Sequence, residues 1–111
     1  MTTVLNRSKA VDSALKKIDS DFVKALAEPA RIEIIKQLII LGPSDVKTLA
    51  EQMPQDRSVI SRHLALMEKA GLLKASKEGR HVIYSVDAEG SLQKSEQLVS
   101  SIRQCLTMGC C

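Results

Sequence analysis

Apolar residues recur at helical spacing along most of this chain, with one interruption. Val4, Ser8, Val11, Leu15 and Ile18 fall on one stripe, at alternating steps of four and three. That is the narrow seam of a coiled coil rather than the broad face of a core helix. It predicts a first helix whose natural partner is another helix. Ser20 or Asp21 can cap a second helix reaching Ala27. Pro29 marks a break, because the residue before a proline resists helical geometry. "ARIEIIKQLIILG" restarts at once. There Ile32, Ile35, Leu38 and Ile39 make a wide apolar face, which predicts a buried helix ended by Gly42 and Pro43. Ser44 is placed to cap the short helix "DVKTLAEQM", with Val46, Leu49, Ala50 and Met53 inward and Pro54 closing it.

The next segment, "QDRSVISRHLALMEKAGLL", holds Val59 or Ile60, Leu64, Met67 and Ala70 at helical spacing. Gly71 stands where a helix end wants a positive φ. The period then changes. In "LLKASKEGRHVIYSVD", Leu73 and Ala75 alternate against Val82, Tyr84 and Val86, with Glu78-Gly79 at the turn. This predicts a two-stranded hairpin with a basic tip. The last segment, "SLQKSEQLVSSIRQCLTMGCC", reads as helix to about Leu106. Leu98, Ile102 and Cys105 share a face in that reading, and Gly109 breaks the pattern.

Two short helices joined by a tight turn and followed by a basic hairpin make a winged helix-turn-helix. The expected fold is therefore mainly α with a small β-hairpin and five to six helices. It forms a single domain over 1–111, with the helix-turn-helix at 44–71, the wing at 72–87 and a cysteine tail at 105–111. The second helix of the pair is the one offered to a DNA major groove. Arg57, Ser58, Ser61 and Arg62 lie off its apolar stripe. Short hydroxyls let the backbone approach the groove, and arginine reaches guanine or phosphate. Lys77 and Arg80 at the wing tip suit the flanking minor groove or backbone. His63 is also carried as a DNA-binding candidate. Its place beside Leu64 fits a half-buried packing or hydrogen-bonding residue better, and Arg62 is the stronger base contact. His81 receives no role.

Composition narrows this picture. The chain has 111 residues, 44% hydrophobic and 26% charged, which is globular rather than disordered. With one Phe, one Tyr and no Trp, the core has to be aliphatic. The net charge of +3 permits a nucleic-acid partner without announcing one. Glu51, Asp56, Glu68 and Glu78 keep the charge of the reading half modest, so tight binding calls for two copies. No apolar run approaches the roughly 18 residues that span a bilayer, and "MTTVLNRSKAVDS" has no signal-peptide core. The expectation is a cytoplasmic protein with reduced thiols and no membrane partner.

The residues now assembled resemble the ArsR/SmtB family of metal-sensing transcriptional repressors, from about Phe22 to Asp87. "FVKALAEPARIEIIKQL" is similar to that family's opening helix pair and "VKTLAEQM" to its first DNA-binding helix. "SVISRHLALMEKAGLLKASKEGRHVIYSV" is similar to its recognition helix and wing. The resemblance implies a homodimer on double-stranded DNA at an imperfect palindromic operator, with the first and last helices as interface. Val4, Val11, Leu15, Ile18, Leu98 and Ile102 are the candidate interface residues.

Family members sense through interchangeable ligand sets. One is a Cys-x-Cys pair in a stretch resembling "ELCVCDLA". Here the aligned stretch is "PSDVKTLA", so Asp45 and Lys47 stand at those positions and that site is absent. Another uses Asp and His along the final helix, and "SLQKSEQLVSSIRQC" has neither. What remains is Cys105, Cys110 and Cys111, the three cysteines of the chain. Soft thiolates select soft acceptors. Zinc would want a fourth ligand, whereas three sulfurs suit a three-coordinate pyramidal ion, and arsenite or antimonite fits best. DNA binding itself needs no cofactor. Two alternatives stay open for the thiols: a redox or reactive-sulfur sensor pairing Cys105 with Cys110 or Cys111, and an unselected tail. A thiol-rich metal carrier or a winged-helix interaction module would leave the polar "RSVISR" face unexplained. Enzymatic use of a cysteine needs a base beside it, and both histidines map to the DNA-reading half.

Overall fold

The computed structural model describes residues 3–109. Its elements run α1 (Val4–Leu15), α2 (Ser20–Leu26), α3 (Pro29–Leu41), α4 (Val46–Glu51), α5 (Arg57–Lys69), β1 (Leu73–Glu78), β2 (His81–Val86) and α6 (Ala88–Gly109). Six helices and one antiparallel hairpin, with α4, α5 and the β1–β2 wing in succession, make a winged helix-turn-helix. Two compact units are present. One unit, central in the sequence, covers Asp21–Ser91, and the other, outer in the sequence, takes the described residues up to Ser20 and from Leu92. Among the described residues no helix is long and apolar enough to cross a membrane.

The central unit holds a continuous core of Phe22, Ala25, Ile34, Leu38, Leu49, Met53, Ile60, Leu64, Met67, Ala70, Leu72, Leu73 and Tyr84. Apart from Phe22 and Tyr84 it is aliphatic, as the composition requires. α3 sits in it at a different rotation from the one its sequence suggested. Ile34 and Leu38 are buried, Ile35 is partly buried, Ile32 is half exposed and Ile39 is 68% exposed. The physical reason is that α3 is apolar nearly all round, so its periodicity does not fix which side faces in. Gly42 ends α3 with φ 81°, its N–H donating to the Leu38 carbonyl at 3.0 Å.

Asp45, not Ser44, caps α4: its carboxylate accepts the Thr48 N–H at 2.8 Å. Ser44 is used elsewhere. Its N–H donates to the Tyr84 carbonyl at 3.0 Å, and the Tyr84 N–H donates back at 2.8 Å. One residue of chain before α4 thus adds a bridge to the wing. α4 is short, ending at Glu51, and Met53 enters the core just beyond it.

α5 buries Ile60, Leu64 and Met67 as one stripe, and Ala70 follows them inward. Its end is a Schellman motif. Gly71, at φ 87°, donates to the Glu68 carbonyl at 3.1 Å, and Leu72 donates to the Met67 carbonyl at 3.0 Å. This closure turns the chain directly into β1. The strands pair Leu73 with Val86, Ala75 with Tyr84 and Lys77 with Val82, which is the alternation expected. The turn lies one residue later than expected. Glu78 still pairs with His81, so Gly79 (φ 62°) and Arg80 form the tip. Asp87 then accepts the Gly90 N–H at 2.9 Å at the start of α6.

The outer unit buries fewer of its described residues. α1 turns Arg7, Ala10, Val11 and Ala14 inward, with Ile18 following, and only Ala14 is fully buried. The anticipated seam is therefore split. Val11 and Ile18 are half-buried, whereas Val4, Ser8 and Leu15 face outward. In α6 the inward stripe is Lys94, Leu98, Ser101 and Cys105, and Ser101 is buried. Lys94 forms an ion pair with Asp19. Ile102 does not share that side, contrary to the expected face. It joins Leu92, Val99 and Leu106 on an exposed apolar stripe. α6 also continues beyond Leu106, to Gly109.

Candidate nucleic-acid interface

The reading face starts from the burial of α5. With Ile60, Leu64 and Met67 fixed inward, helical geometry turns Ser58, Ser61 and Arg62 to solvent, and Arg57, on the buried side by spacing, is exposed as the first residue of the helix. Asp56 precedes the helix in extended conformation without a side-chain cap bond. The first N–H groups of α5 are thus uncapped by that side chain, beside two arginines. A helix start of this kind favours anions.

Three elements meet at this end of α5. Arg57 and Ser61 line an open concavity together with Lys47 and Asp45 of the α4 start, and with Arg80 and His81 of the wing. The wing holds its place through the Ser44–Tyr84 bridge and through Asp45, whose Oδ2 lies 3.3 Å from His81 Nδ1. The Thr48 hydrogen bonds hold the Asp45 carboxyl below its ordinary value, with His81 and Lys47 adding smaller effects. Asp45 is therefore ionised and committed to structure, while Lys47, Arg57 and Arg80 bring three cations to one recess. Lys77 is exposed on β1 near the tip and does not line the recess.

Of the residues read from sequence, Arg57, Ser61 and Arg80 are brought together, and Ser58 and Arg62 extend the same exposed helix face. His63 departs from them. It is half-buried, and its Nδ1 accepts from Arg31 Nε at 3.2 Å. Burial, and then the Arg31 cation, lower its pKa. Its ring is engaged inside the central unit, as suits the packing or hydrogen-bonding role that the sequence favoured. Lys47 and His81 were not singled out by sequence. The usable signal was the position of Lys47 at the second residue of α4, off the Val46–Leu49–Ala50 side.

For the thiols, Cys105 is half-buried on the Leu98–Ser101 side of α6. Cys110 and Cys111 lie outside the described residues. Among the described residues no group of three or more metal-binding side chains occurs.

This geometry defines a winged helix-turn-helix with exposed cations beside its second helix, and comparison with known proteins places it further. The family model described as bacterial regulatory protein, arsR family, matches residues 28–75. The uncharacterized HTH-type transcriptional regulator Rv0081 of Mycobacterium tuberculosis (strain ATCC 25618 / H37Rv) is 34% identical over 74 residues, covering 67% of this chain. That match spans 65% of the relative's own length. The cadmium resistance transcriptional regulatory protein CadC homolog of Staphylococcus aureus is 31% identical over 86 residues, covering 78% of this chain and 71% of that one. A crystal structure described as a possible transcriptional regulator for arsenical resistance superposes with TM-score 0.63 at 36% identity, over 72% of this chain and 82% of the other. The chain belongs to the arsR family of bacterial regulatory proteins.

Proposed function

We propose that this protein is a homodimeric DNA-binding repressor, released from its operator when a thiophilic metalloid binds its cysteines. The observation that carries the DNA reading is the recess where Lys47, Arg57, Ser61 and Arg80 converge beside the uncapped start of α5. Arg57, Ser58, Ser61 and Arg62 read the major groove, and Lys77 and Arg80 contact backbone or minor groove. Modest net charge makes a single copy a weak binder. Two copies on an imperfect palindrome, with half-sites about one helical turn apart, supply the rest. The exposed apolar residues Val4, Leu15 and Ile102 support a dimer through the first and last helices.

Cys105, Cys110 and Cys111 form the inducer site, and arsenite or antimonite is the ligand. Three soft sulfurs with no histidine in the sequence from Ala88 to Cys111 favour a pyramidal thiophilic ion over zinc. Relatives named for cadmium resistance and for arsenical resistance are both consistent with a soft inducer. Binding acts only by favouring a dimer shape in which the two recognition helices no longer match the operator. Release by about 100-fold corresponds to a coupling of roughly 3 kcal/mol.

The test replaces Cys105, Cys110 and Cys111 by Ser, singly and together, and measures operator release against arsenite, antimonite, cadmium, zinc and peroxide. The expected result is that the triple variant holds DNA as the parent does but ignores arsenite and antimonite. A triple variant still released by arsenite removes the thiols from the mechanism. Release by peroxide alone makes the tail a redox device instead.

A further inference from the structure

Arg31 occupies the first turn of α3, and its guanidinium joins three helices of the central unit. Nη1 donates to the Lys24 carbonyl of α2 at 2.6 Å, and Nε donates to His63 Nδ1 of α5 at 3.2 Å. Both side chains of the second bond are partly buried. An imidazole accepts at Nδ1 only when that nitrogen carries no proton. Protonation replaces the acceptor with an N–H aimed at another N–H, and sets two cations together in a partly dry site.

We propose that the Arg31–His63 hydrogen bond is a proton-released clamp that holds the recognition helix in its DNA-reading position. His63 is a positioning residue in this reading and touches no DNA. Its neighbour Arg62 is on the reading face, so a rotation or shift of α5 at His63 is felt directly there. This rests on the DNA-binding function proposed above and adds a control to it: mild acid weakens DNA binding through the protein's interior.

The surroundings of His63 agree in sign. Burial disfavours its charged form most, and the Arg31 and Arg62 cations add to that; Glu28, at the start of α3, opposes them. α2 presents the Lys24 carbonyl, which Arg31 already occupies. Neutral His63 is therefore the native form at neutral pH. The clamp is intact above the ordinary imidazole range, and it is lost as pH falls through the lowered value of the folded state.

The test uses the full chain in a His81→Gln background, which removes the only other imidazole, and a duplex selected from a random pool by that protein at about pH 7.5. His63→Asn keeps an oxygen acceptor where Nδ1 stands and does not titrate. His63→Ala removes the acceptor. Affinity of the His63 protein should fall about tenfold or more between roughly pH 7.5 and pH 5. The Asn variant should change by no more than about twofold over the same range, and the Ala variant should bind weakly at both ends. Affinity that rises on acidification would mean that His63 meets phosphate, and an equal loss in the Asn variant would place the effect elsewhere; either overturns the clamp. A second measurement does not depend on DNA. The Arg31 Nε–H resonance of the free, 15N-labelled protein should shift with the same midpoint as the His63 ring. A resonance unmoved through that titration overturns the clamp even where DNA binding succeeds. If no duplex is selected at all, the DNA-binding reading fails and the resonance still decides the clamp.

Discussion

The two compact units of this chain solve the burial problem differently. The central unit draws α2, α3, α4, α5 and the wing around one core in which Ile34, Leu49, Ile60, Leu64 and Met67 are wholly enclosed. The outer unit, among the described residues, fully buries only Ala14 and Ser101, both small. It leaves Val4 73%, Leu92 62% and Leu106 64% exposed, with Leu5, Val99 and Ile102 also open. Burying a large aliphatic side chain contributes on the order of 1.5–3 kcal/mol. The central unit collects that many times over in its core, while itself leaving Ile39 68% and Ile40 65% exposed; the outer unit encloses no large aliphatic side chain among the described residues. A unit with so little burial of its own beside that open surface fits the proposed completion by another chain. In the proposed function, reading DNA and holding a partner are thus divided between a part with a large core and a part without one.

The largest effect should come from breaking the part that holds the core. Leu64 is fully buried on α5, between the exposed Ser61 and Arg62 on one side and the Schellman closure on the other. Leu64→Ala should cost about 2–5 kcal/mol of unfolding free energy through lost burial and the cavity left behind. Chemical denaturation measures it directly. A Leu92→Ala change at the exposed outer stripe should cost less than about 0.5 kcal/mol at protein concentrations too low for dimers. Equal costs for the two substitutions would dissolve the contrast between the units.

How much of each unit was legible in the sequence follows the same division. In α5 the stripe Ile60, Leu64, Met67 and Ala70 is separated by polar residues, so one rotation satisfies it, and Gly71 marks the end. The wing alternation fixed its own faces, and only the tip slipped, because both Glu78-Gly79 and Gly79-Arg80 can form a two-residue turn. In α3 the run "IEIIKQLIIL" offers several nearly equal apolar faces, so its rotation had to come from packing. Ser44 and Asp45 are both good cap residues, and the wing decided between them by taking Ser44 into its bridge. In α1 and α6 the stripes carry two demands at once, one side partly buried and one left open. Spacing alone therefore merged Ile102 with Cys105, which the structure separates. The recess of Lys47, Arg57 and Arg80 joins residues far apart in sequence, and no local pattern reveals that.

The next effect falls on the part without a large core. Leu15 is 47% exposed on the outward side of α1. Leu15→Asp places a charge where a partner helix should lie, and an unpaired buried carboxylate costs several kcal/mol. Sedimentation should show a dimer turned to monomer, with the helical signal of the central unit retained. The same variant should bind an operator weakly, because one copy lacks the second half-site. A Leu15→Asp protein that sediments as a dimer would show that this side of α1 is not the interface.

The smallest effect on the fold, and the sharpest on function, belongs to Arg62. Its side chain is exposed on the proposed reading face of α5. Arg62→Ala should leave unfolding free energy within about 0.5 kcal/mol of the parent, as surface substitutions usually do. Its cost should appear only against DNA. A lost base contact weakens operator binding by about 1–3 kcal/mol and relaxes preference at one position of each half-site, whereas a lost phosphate contact weakens all sequences alike and lowers the salt dependence. Binding to the operator and to unrelated duplexes over a salt series separates these. Loss confined to the operator makes Arg62 a base reader. Uniform loss makes it a backbone contact. Unchanged affinity for both would move the reading face off this side of α5.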